Sequence, residues 1–515
     1  MVGSFALSAE DRDFFLRVGQ IVFSNPFSDD RAQRVREAVG EMMRPGMADS
    51  EALKVVIGRR LQALDTTGRI ALSTLAAVDA RCLKPVFLFD VYHRHLSSID
   101  ALIERQASRR ETRVEAQLAD RLLGELVNRG FAEDEAARYF ALFHQLRRAY
   151  YFIEEGLAGD SPSMKRLRLA LWNNVFTHDM QLFDAHLWSR MEDFSTLLLG
   201  ETGTGKGQAA AAIGRSAFIP YLCRERRFVA NFADSFIAIN LSQFPEGLIE
   251  SELFGHRRGA FTGAIEHHEG VLARSSAHGT LFLDEIGEVS VPIQIKLLQV
   301  LQERSFTPIG SHQVQRFAGR VIAATNRPLH QLMAGGKFRH DFYYRLCSDA
   351  ITLPPLRQRL AEAPDEFATL VGRLVTRTLG TPDQTVSDRV VDALRRSLPR
   401  DYLWPGNVRE LEQAVRRVLL TGRYSADDET PATTRGEAMW QVSEGGRLAA
   451  STLLVRYCQW LHQRLGTYEE VARRTGLDRR TVKKYVHQSV QTAEETLPPN
   501  PAEVVDPQGS LDDRK

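Results

Sequence analysis

Thr196-Leu-Leu-Leu-Gly200-Glu201-Thr202-Gly203-Thr204-Gly205-Lys206-Gly207, running on into Gln-Ala-Ala-Ala-Ala-Ile-Gly-Arg-Ser-Ala-Phe218, decides the fold of the middle of this chain. An apolar run reads as a strand, three spaced glycines as a tight loop, and the alanine-rich segment as a helix. Glycines let successive backbone N–H groups turn inward around phosphate oxygens, and the following helix N-terminus adds positive potential. Lys206 at that position reaches β- and γ-phosphates. Position 207 is glycine where the common P-loop carries Ser or Thr for magnesium. The metal must then lean on other ligands or on water.

Working outward, the same alternation of apolar runs and helical stretches continues. Phe236–Ile239, Thr280–Leu283, Arg320–Ala324 and, more weakly, Ala350–Leu353 read as short buried strands separated by helices. That pattern predicts a parallel α/β sheet. A helical stretch follows to about Leu420, expected to form a lid. Before the sheet, residues 1–155 read as mostly helical, with apolar positions recurring at three and four. Pro85–Asp90 there fits a strand or a helix interior equally. His93 and His95 are two apart, so on a helix they face different sides, which favours polar surface positions over metal binding.

The chain has 515 residues, too many for one hydrophobic core, with 43% hydrophobic and 25% charged residues and a net charge of +1. Any nucleic-acid footprint must therefore be local. Four dispersed cysteines form no CxxC pair, which suits a reducing cytosol. The N-terminus lacks the pattern of a signal peptide, and no run approaches the roughly 18 apolar residues of a membrane span. A cytoplasmic protein without membrane attachment is expected.

Thr280-Leu-Phe-Leu-Asp284-Glu285 ends a predicted strand in paired acids about 80 residues after the P-loop. Asp284 suits magnesium, directly or through water, and Glu285 suits the base that polarises the attacking water. Asn326, ending Val-Ile-Ala-Ala-Thr-Asn, can orient that water or sense the γ-phosphate. Arg339 and Arg345, in Phe338-Arg-His-Asp-Phe-Tyr-Tyr-Arg-Leu346, suit the arginine-finger role of placing positive charge on transferring phosphoryl oxygens. The cofactors expected are ATP and Mg2+.

Near the C-terminus, Tyr468 to Val486 has Val471, Ala472, Gly476, Leu477, Val482 and Tyr485 where a helix-turn-helix needs them. Asp478 can cap the second helix. That helix offers Arg479, Arg480, Lys483 and Lys484 to phosphates and base edges. Between Gly445 and Val490 nine Lys/Arg face three Asp/Glu, a local +6 on a nearly neutral chain. A plain helical hairpin with a basic face is the competing reading.

Gly259-Ala260-Phe261-Thr262-Gly263-Ala264, preceded by Glu250-Ser-Glu-Leu-Phe-Gly-His256, resembles the GAFTGA hexapeptide and lead-in of bacterial enhancer-binding proteins, the AAA+ activators of sigma-54 RNA polymerase. The resemblance runs from about Ser161 to Leu420, through GETGTGKG, GTLFLDEIGEVS, VIAATNR, FRHDFYYRL, LPPLRQR and WPGNVREL. It implies that residues 259–264 form the sigma-54 contact, with Phe261 and Thr262 at the tip. It implies that Asn240 is a switch residue pairing with Glu285, that Arg339 and Arg345 are donated to a neighbouring subunit, and that Arg409 is a second sensor. The family commonly has Glu after the P-loop lysine, so Gly207 departs less from it than from P-loops in general. The interval from Lys206 to Gly259 is about ten residues longer than usual, around Pro220–Phe232, which puts local geometry in question.

The resulting expectation is multidomain: a helical regulatory domain of unknown signal (1–155), a sigma-54-interacting AAA+ ATPase with a helical lid (161–421), a linker (422–446), a Fis-type helix-turn-helix (447–490) and a disordered tail (491–515). The function expected is an ATP-hydrolysing activator that binds double-stranded enhancer DNA and remodels sigma-54 RNA polymerase to the open complex, as a homo-oligomer, a dimer when inactive and a hexameric ring when working. The competing readings are an AAA+ chaperone-like remodeller and a nucleotide-sensing DNA-binding repressor.

Overall fold

The computed structural model describes residues 6–40, 48–64, 70–399, 401–424 and 450–487. The linker expected at 422–446, except residues 422–424, and the tail expected at 491–515 lie outside these residues. The chain divides into two compact units, Met1–Tyr424 and Ser425–Lys515.

Five strands form one parallel sheet: β1 (Thr196–Leu199), β4 (Phe236–Asn240), β5 (Thr280–Asp284), β8 (Arg320–Thr325) and β9 (Asp349–Thr352), in the order β4-β5-β8-β1-β9. All five expected runs are strands, each shifted by no more than a residue at its ends. Two short antiparallel hairpins flank the sheet: β2 (Tyr221–Leu222) with β3 (Arg227–Phe228), and β6 (Ser305–Phe306) with β7 (Gln315–Arg316). Because neighbouring side chains on a strand point to opposite faces, Leu198 and Leu197 enter different cores. Val321 and Ala323 join the second core, while Ile322 and Ala324 join the first.

Among the described residues, eight helices of more than ten residues precede the sheet: α1 (Ala9–Val22), α2 (Asp29–Val39), α3 (Asp49–Leu64), α4 (Ala77–Arg94), α5 (Leu96–Arg109), α6 (Ala116–Asn128), α7 (Glu133–Glu154) and α8 (Pro162–Phe176). Pro85 and the residues after it lie inside α4, so the helix alternative holds there. His93 and His95 are not surface residues. His93 Nδ1 is 2.9 Å from the Phe89 carbonyl and His95 is buried against Glu125 at 3.1 Å. No cluster of three metal-ligating side chains occurs among the described residues.

The core of α1–α8 is continuous with one face of the sheet. Two contacts at that junction are specific to this chain's insertions and helices. The longer interval noted after the P-loop is the β2–β3 hairpin, which docks on the preceding helices. Phe228 N–H donates to the Thr112 carbonyl at 2.9 Å, Val114 N–H donates to Arg226 at 2.9 Å, and Phe228 stacks on His144 with ring centroids 4.3 Å apart. The second contact is α7 itself, with Glu133, Asp134 and Glu135 in its first turn complementing the helix dipole. Its Gln145 donates to the Ser216 carbonyl at 2.9 Å, and Arg148 donates to Arg215 at 2.6 Å and to Ala217 at 2.9 Å. These three successive carbonyls belong to the residues that directly follow the P-loop helix Lys206–Gly214.

Four further helices, Leu356–Glu362, Glu366–Leu379, Gln384–Ser397 and Asn407–Thr421, form the lid. The second unit holds helices Ala450–Leu465, Tyr468–Thr475 and Arg479–His487, packed around Cys458, Leu461, Val471 and Val482. No helix among the described residues is long and apolar enough to cross a membrane.

Candidate nucleotide site and its partner surfaces

Ligands of open parallel sheets bind beyond the carboxyl ends of the strands, and the candidate residues gather there. Gly200 (φ 151°), Gly203 (φ 80°) and Gly205 (φ 99°) carry the backbone through conformations that β-carbons resist. Gly203 also has no room for one: an added β-carbon would lie 2.1 Å from the Gly406 carbonyl oxygen of the lid. Lys206 opens the helix and donates to the carbonyls of Gly200 at 2.8 Å and Glu201 at 3.1 Å. Burial lowers its pKa, opposed by Glu285 and Asp284. Thr204 Oγ1 donates to the Glu201 carbonyl at 2.8 Å, and Thr202 Oγ1 accepts from Asn326 Nδ2 at 2.8 Å. Gly207 faces open space apart from Phe282 at 3.9 Å, so a side chain would fit there.

Asp284 ends β5 beside Asn240, its register partner on β4. Burial raises the Asp284 pKa, against the Glu285 N–H that donates to it at 3.0 Å and the charges of Lys206 and Arg409. Glu285 follows with φ 56°, a left-handed conformation that costs a side chain about 1–2 kcal/mol. Its Oε2 accepts from the Asn326 N–H at 3.4 Å. Thr202 to Gly207, Asn240, Asp284, Glu285 and Arg409 all line one cavity of about 1490 Å³ between sheet and lid. Magnesium keeps several waters and needs only one or two protein carboxylates besides phosphate. The Asp284 carboxylate, destabilised by burial and, among the described residues, hydrogen-bonded only to the N–H of its neighbour, fits that need.

Asn240 is not paired with Glu285 in this structure. Its Oδ1 accepts from Ser242 N at 3.0 Å and Ser242 Oγ at 2.8 Å. Arg339 and Arg345 lie outside the cavity: the first grips Asp341 at 2.6 Å, and the second donates to the Leu301 carbonyl at 2.8 Å. Sequence reasoning gave no role to Arg357 or Asn407, although both lie in stretches that carry the resemblance. Arg357 pairs with Glu201 at 2.7 Å, and Asn407 (φ 53°) donates to the Thr202 carbonyl at 3.0 Å while accepting from Leu356 N–H at 2.7 Å. Together they tie the lid to the P-loop. The cavity also includes residues Glu155 to Ala158, which follow α7.

The 259–264 hexapeptide forms a compact turn closed by Gly259 N–H to the Ala264 carbonyl at 2.8 Å, with Gly259 (φ 80°) and Gly263 (φ 103°) at its ends. Ala264 is buried, while Phe261 keeps 39% of its surface exposed and rests its ring edge-on against His256 at 4.9 Å. Ala260 packs so closely on Gly310 that a β-carbon there would sit 2.7 Å away. In the second unit, Asp478 Oδ1 accepts from the N–H groups of Arg480 at 2.8 Å and Thr481 at 3.2 Å, and Gly476 (φ 71°) makes the turn. Arg479, Arg480, Lys483 and Lys484 are exposed together on the helix so capped.

A parallel sheet carrying a P-loop after β1, an acid pair at the end of β5, from which β8 separates it, and a helical lid over both is the AAA+ class of nucleotide-binding domain. Residues 179–352 match the Sigma-54 interaction domain. The chain is 36% identical over 332 residues to the transcriptional regulatory protein ZraR of Klebsiella oxytoca, covering 64% of this chain and 67% of that protein. It is 40% identical over 275 residues to the Nif-specific regulatory protein of Azotobacter vinelandii, covering 52% and 45%. It is 41% identical over 235 residues to the DNA-binding transcriptional regulator NtrC of Azospirillum brasilense, covering 46% and 44%. The match thus spans two thirds of the first of these relatives and less than half of the other two. The chain belongs to the sigma-54-dependent enhancer-binding activators, a family of transcriptional regulators.

Proposed function

We propose that this protein hydrolyses ATP in the cavity between sheet and lid and uses the cycle to drive sigma-54 RNA polymerase into the open promoter complex, while its helix-turn-helix holds enhancer DNA. The observation that carries the reading is the convergence of Lys206, Asp284, Glu285 and Arg409 on one cavity, with an exposed aromatic turn elsewhere on the same domain.

On binding, the P-loop N–H groups take the phosphates, and Lys206 exchanges its two carbonyl acceptors for phosphate oxygens. Mg2+ at Asp284 would neutralise phosphate charge. Glu285 accepts a proton from the attacking water as its oxygen bonds the γ-phosphorus and the bond to the departing ADP oxygen breaks. Asn326 supports this geometry from both sides, through Glu285 and through Thr202. Arg409 adds positive charge from the lid. Arg339 and Arg345, outside their own cavity, serve a neighbouring subunit's nucleotide in a ring. Asn240 leaves Ser242 to meet Glu285 when the γ-phosphate changes, and β4 carries that change towards the 259–264 turn.

Contact and hydrolysis then belong to different residues joined by a two-state element. Thr262→Ala is expected to hydrolyse ATP at a rate near that of the parent yet fail to open a sigma-54 promoter. ATPase turnover and permanganate footprinting of the promoter, on one purified variant, check this. Promoter opening equal to the parent's would remove the ground for assigning this turn to sigma-54.

A further inference from the structure

A second cavity, of about 440 Å³, lies among the helices that precede the sheet and shares no lining residue with the nucleotide cavity. Its volume is in the range of small-molecule sites. The wall is largely aromatic: Phe23, Phe89, Tyr92, Phe143, Tyr150 and Trp172 all border it. The polar groups in that wall are unlike those of an ordinary core. Arg31 borders the cavity half-buried, and its guanidinium makes no hydrogen bond or ion pair among the described residues. The Tyr92 hydroxyl likewise has no hydrogen-bond partner among them.

The other basic groups around the cavity are accounted for. Arg147 grips Asp100, with a 2.9 Å contact from its second nitrogen. His93 hydrogen-bonds Phe89 through Nδ1, and burial, the largest influence, holds its pKa near 4, so it is neutral. Asp49 attracts Arg31 without reaching ion-pair distance. Burial depresses the Arg31 pKa, the mark of a cation short of compensation. Partial burial of a charge without a partner is costly, and an anion in the cavity offsets that cost. The apolar aromatic walls select a flat hydrophobic body to carry it.

We propose that this cavity binds a small aromatic anion of the aromatic carboxylate class. Arg31 holds the negative group, the Tyr92 hydroxyl donates to it, and the rings enclose the body. Occupancy is read at the P-loop helix through α7. Tyr139, Leu142, Phe143, Leu146, Arg147 and Tyr150 place one face of α7 on the cavity, at the three-and-four spacing of a single helix face. Gln145 and Arg148 place another face on the carbonyls of residues 215–217. Close-packed interiors transmit displacement rather than absorb it, so a ligand that shifts or stiffens α7 acts on the helix that Lys206 begins.

The test uses the full chain and 1-naphthoate as probe, with neutral 1-naphthalenemethanol as control, in isothermal titration calorimetry. Naphthoate is expected to bind one site per chain, at least tenfold more tightly than the alcohol. Arg31→Gln should lower naphthoate affinity at least tenfold and leave the alcohol unchanged. Leu146→Trp, which fills the cavity from a partly exposed position, should abolish both; far-UV circular dichroism establishes that each variant is folded. Saturating naphthoate should also slow amide exchange at residues 215–219 in the parent and not in Leu146→Trp. No saturable heat below 1 mM, undiminished binding by folded Arg31→Gln, or undiminished binding by folded Leu146→Trp overturns the site. Unchanged exchange at 215–219 in the saturated parent overturns the relay. Neither readout involves nucleotide, DNA or polymerase, so failure here is distinct from failure of the proposed function.

Discussion

Arg148→Met isolates the polar clamp between α7 and the P-loop helix, because it removes the guanidinium and keeps most of the side-chain volume. The sign of its effect is a contest. Arg148 is fully buried, and burial alone pushes its pKa down to about 9. A depression of that size corresponds to a cost of about 5 kcal/mol for holding the charge inside, which methionine would relieve. Against this stand the hydrogen bonds at 2.6 and 2.9 Å to Arg215 and Ala217, each worth about 1.5–3 kcal/mol from a charged donor. The guanidinium also lies 5.2 Å from the centre of the Phe232 ring, a contact worth about 1–2 kcal/mol when desolvated. Both carbonyls would then remain buried without this donor, at about 1–3 kcal/mol each. The lost interactions outweigh the relieved burial even at the low end of these ranges, and a net loss of at least about 1 kcal/mol is expected. Urea unfolding measures it globally, and native-state hydrogen exchange over residues 206–217 measures it locally, where the effect should concentrate. If Arg148→Met proves as stable as the parent, burial dominates and the contact is not a polar clamp.

Lys206→Ala should lose nucleotide binding, whereas Glu285→Gln should bind ATP and hydrolyse it orders of magnitude more slowly, since water activation matters only in the chemical step; fluorescent-nucleotide titration and steady-state turnover separate the two. Stability should fall as pH drops below about 6.5, because unfolded histidines take up protons that the folded chain refuses. Burial holds His93 near 4 and His144 well below its usual value, so the loss grows through pH 4, with His93 accounting for up to about 3 kcal/mol. Thermal melts from pH 7 to 4 check this, and His144→Phe should flatten the trend. Charge reversal at Lys483 or Lys484 should weaken binding to enhancer DNA and reduce its salt dependence by about one counterion per lost phosphate contact; an unchanged salt slope places these lysines away from the backbone.

Much of the sheet was legible in the sequence because each of its signals is local. Strand runs such as Thr280–Leu283 are apolar on both faces, as buried parallel strands must be. The glycines at 200, 203 and 205 mark where backbone turns left-handed, and that preference resides in single residues. The helical reading of residues 1–155 held over the described residues for the same reason, since a three-and-four periodicity needs no tertiary partner to be seen. Asn240 shows the limit within the site: its strand-end position follows from pattern, but its bond to Ser242 is a choice among partners that only packed coordinates make. The residues around Pro220–Phe232 show the limit for the fold. As sequence they were an interval of unusual length; in space they are a hairpin whose edge completes hydrogen bonds of residues 112–114. The same holds for Arg148 and Arg31, ordinary arginines on helices until folding brings one against two carbonyls just after the P-loop helix and the other to the wall of an aromatic cavity. Composition and periodicity determine which face of a helix is buried, but what a buried charge meets depends on residues scores of positions away, and only the tertiary structure brings them together.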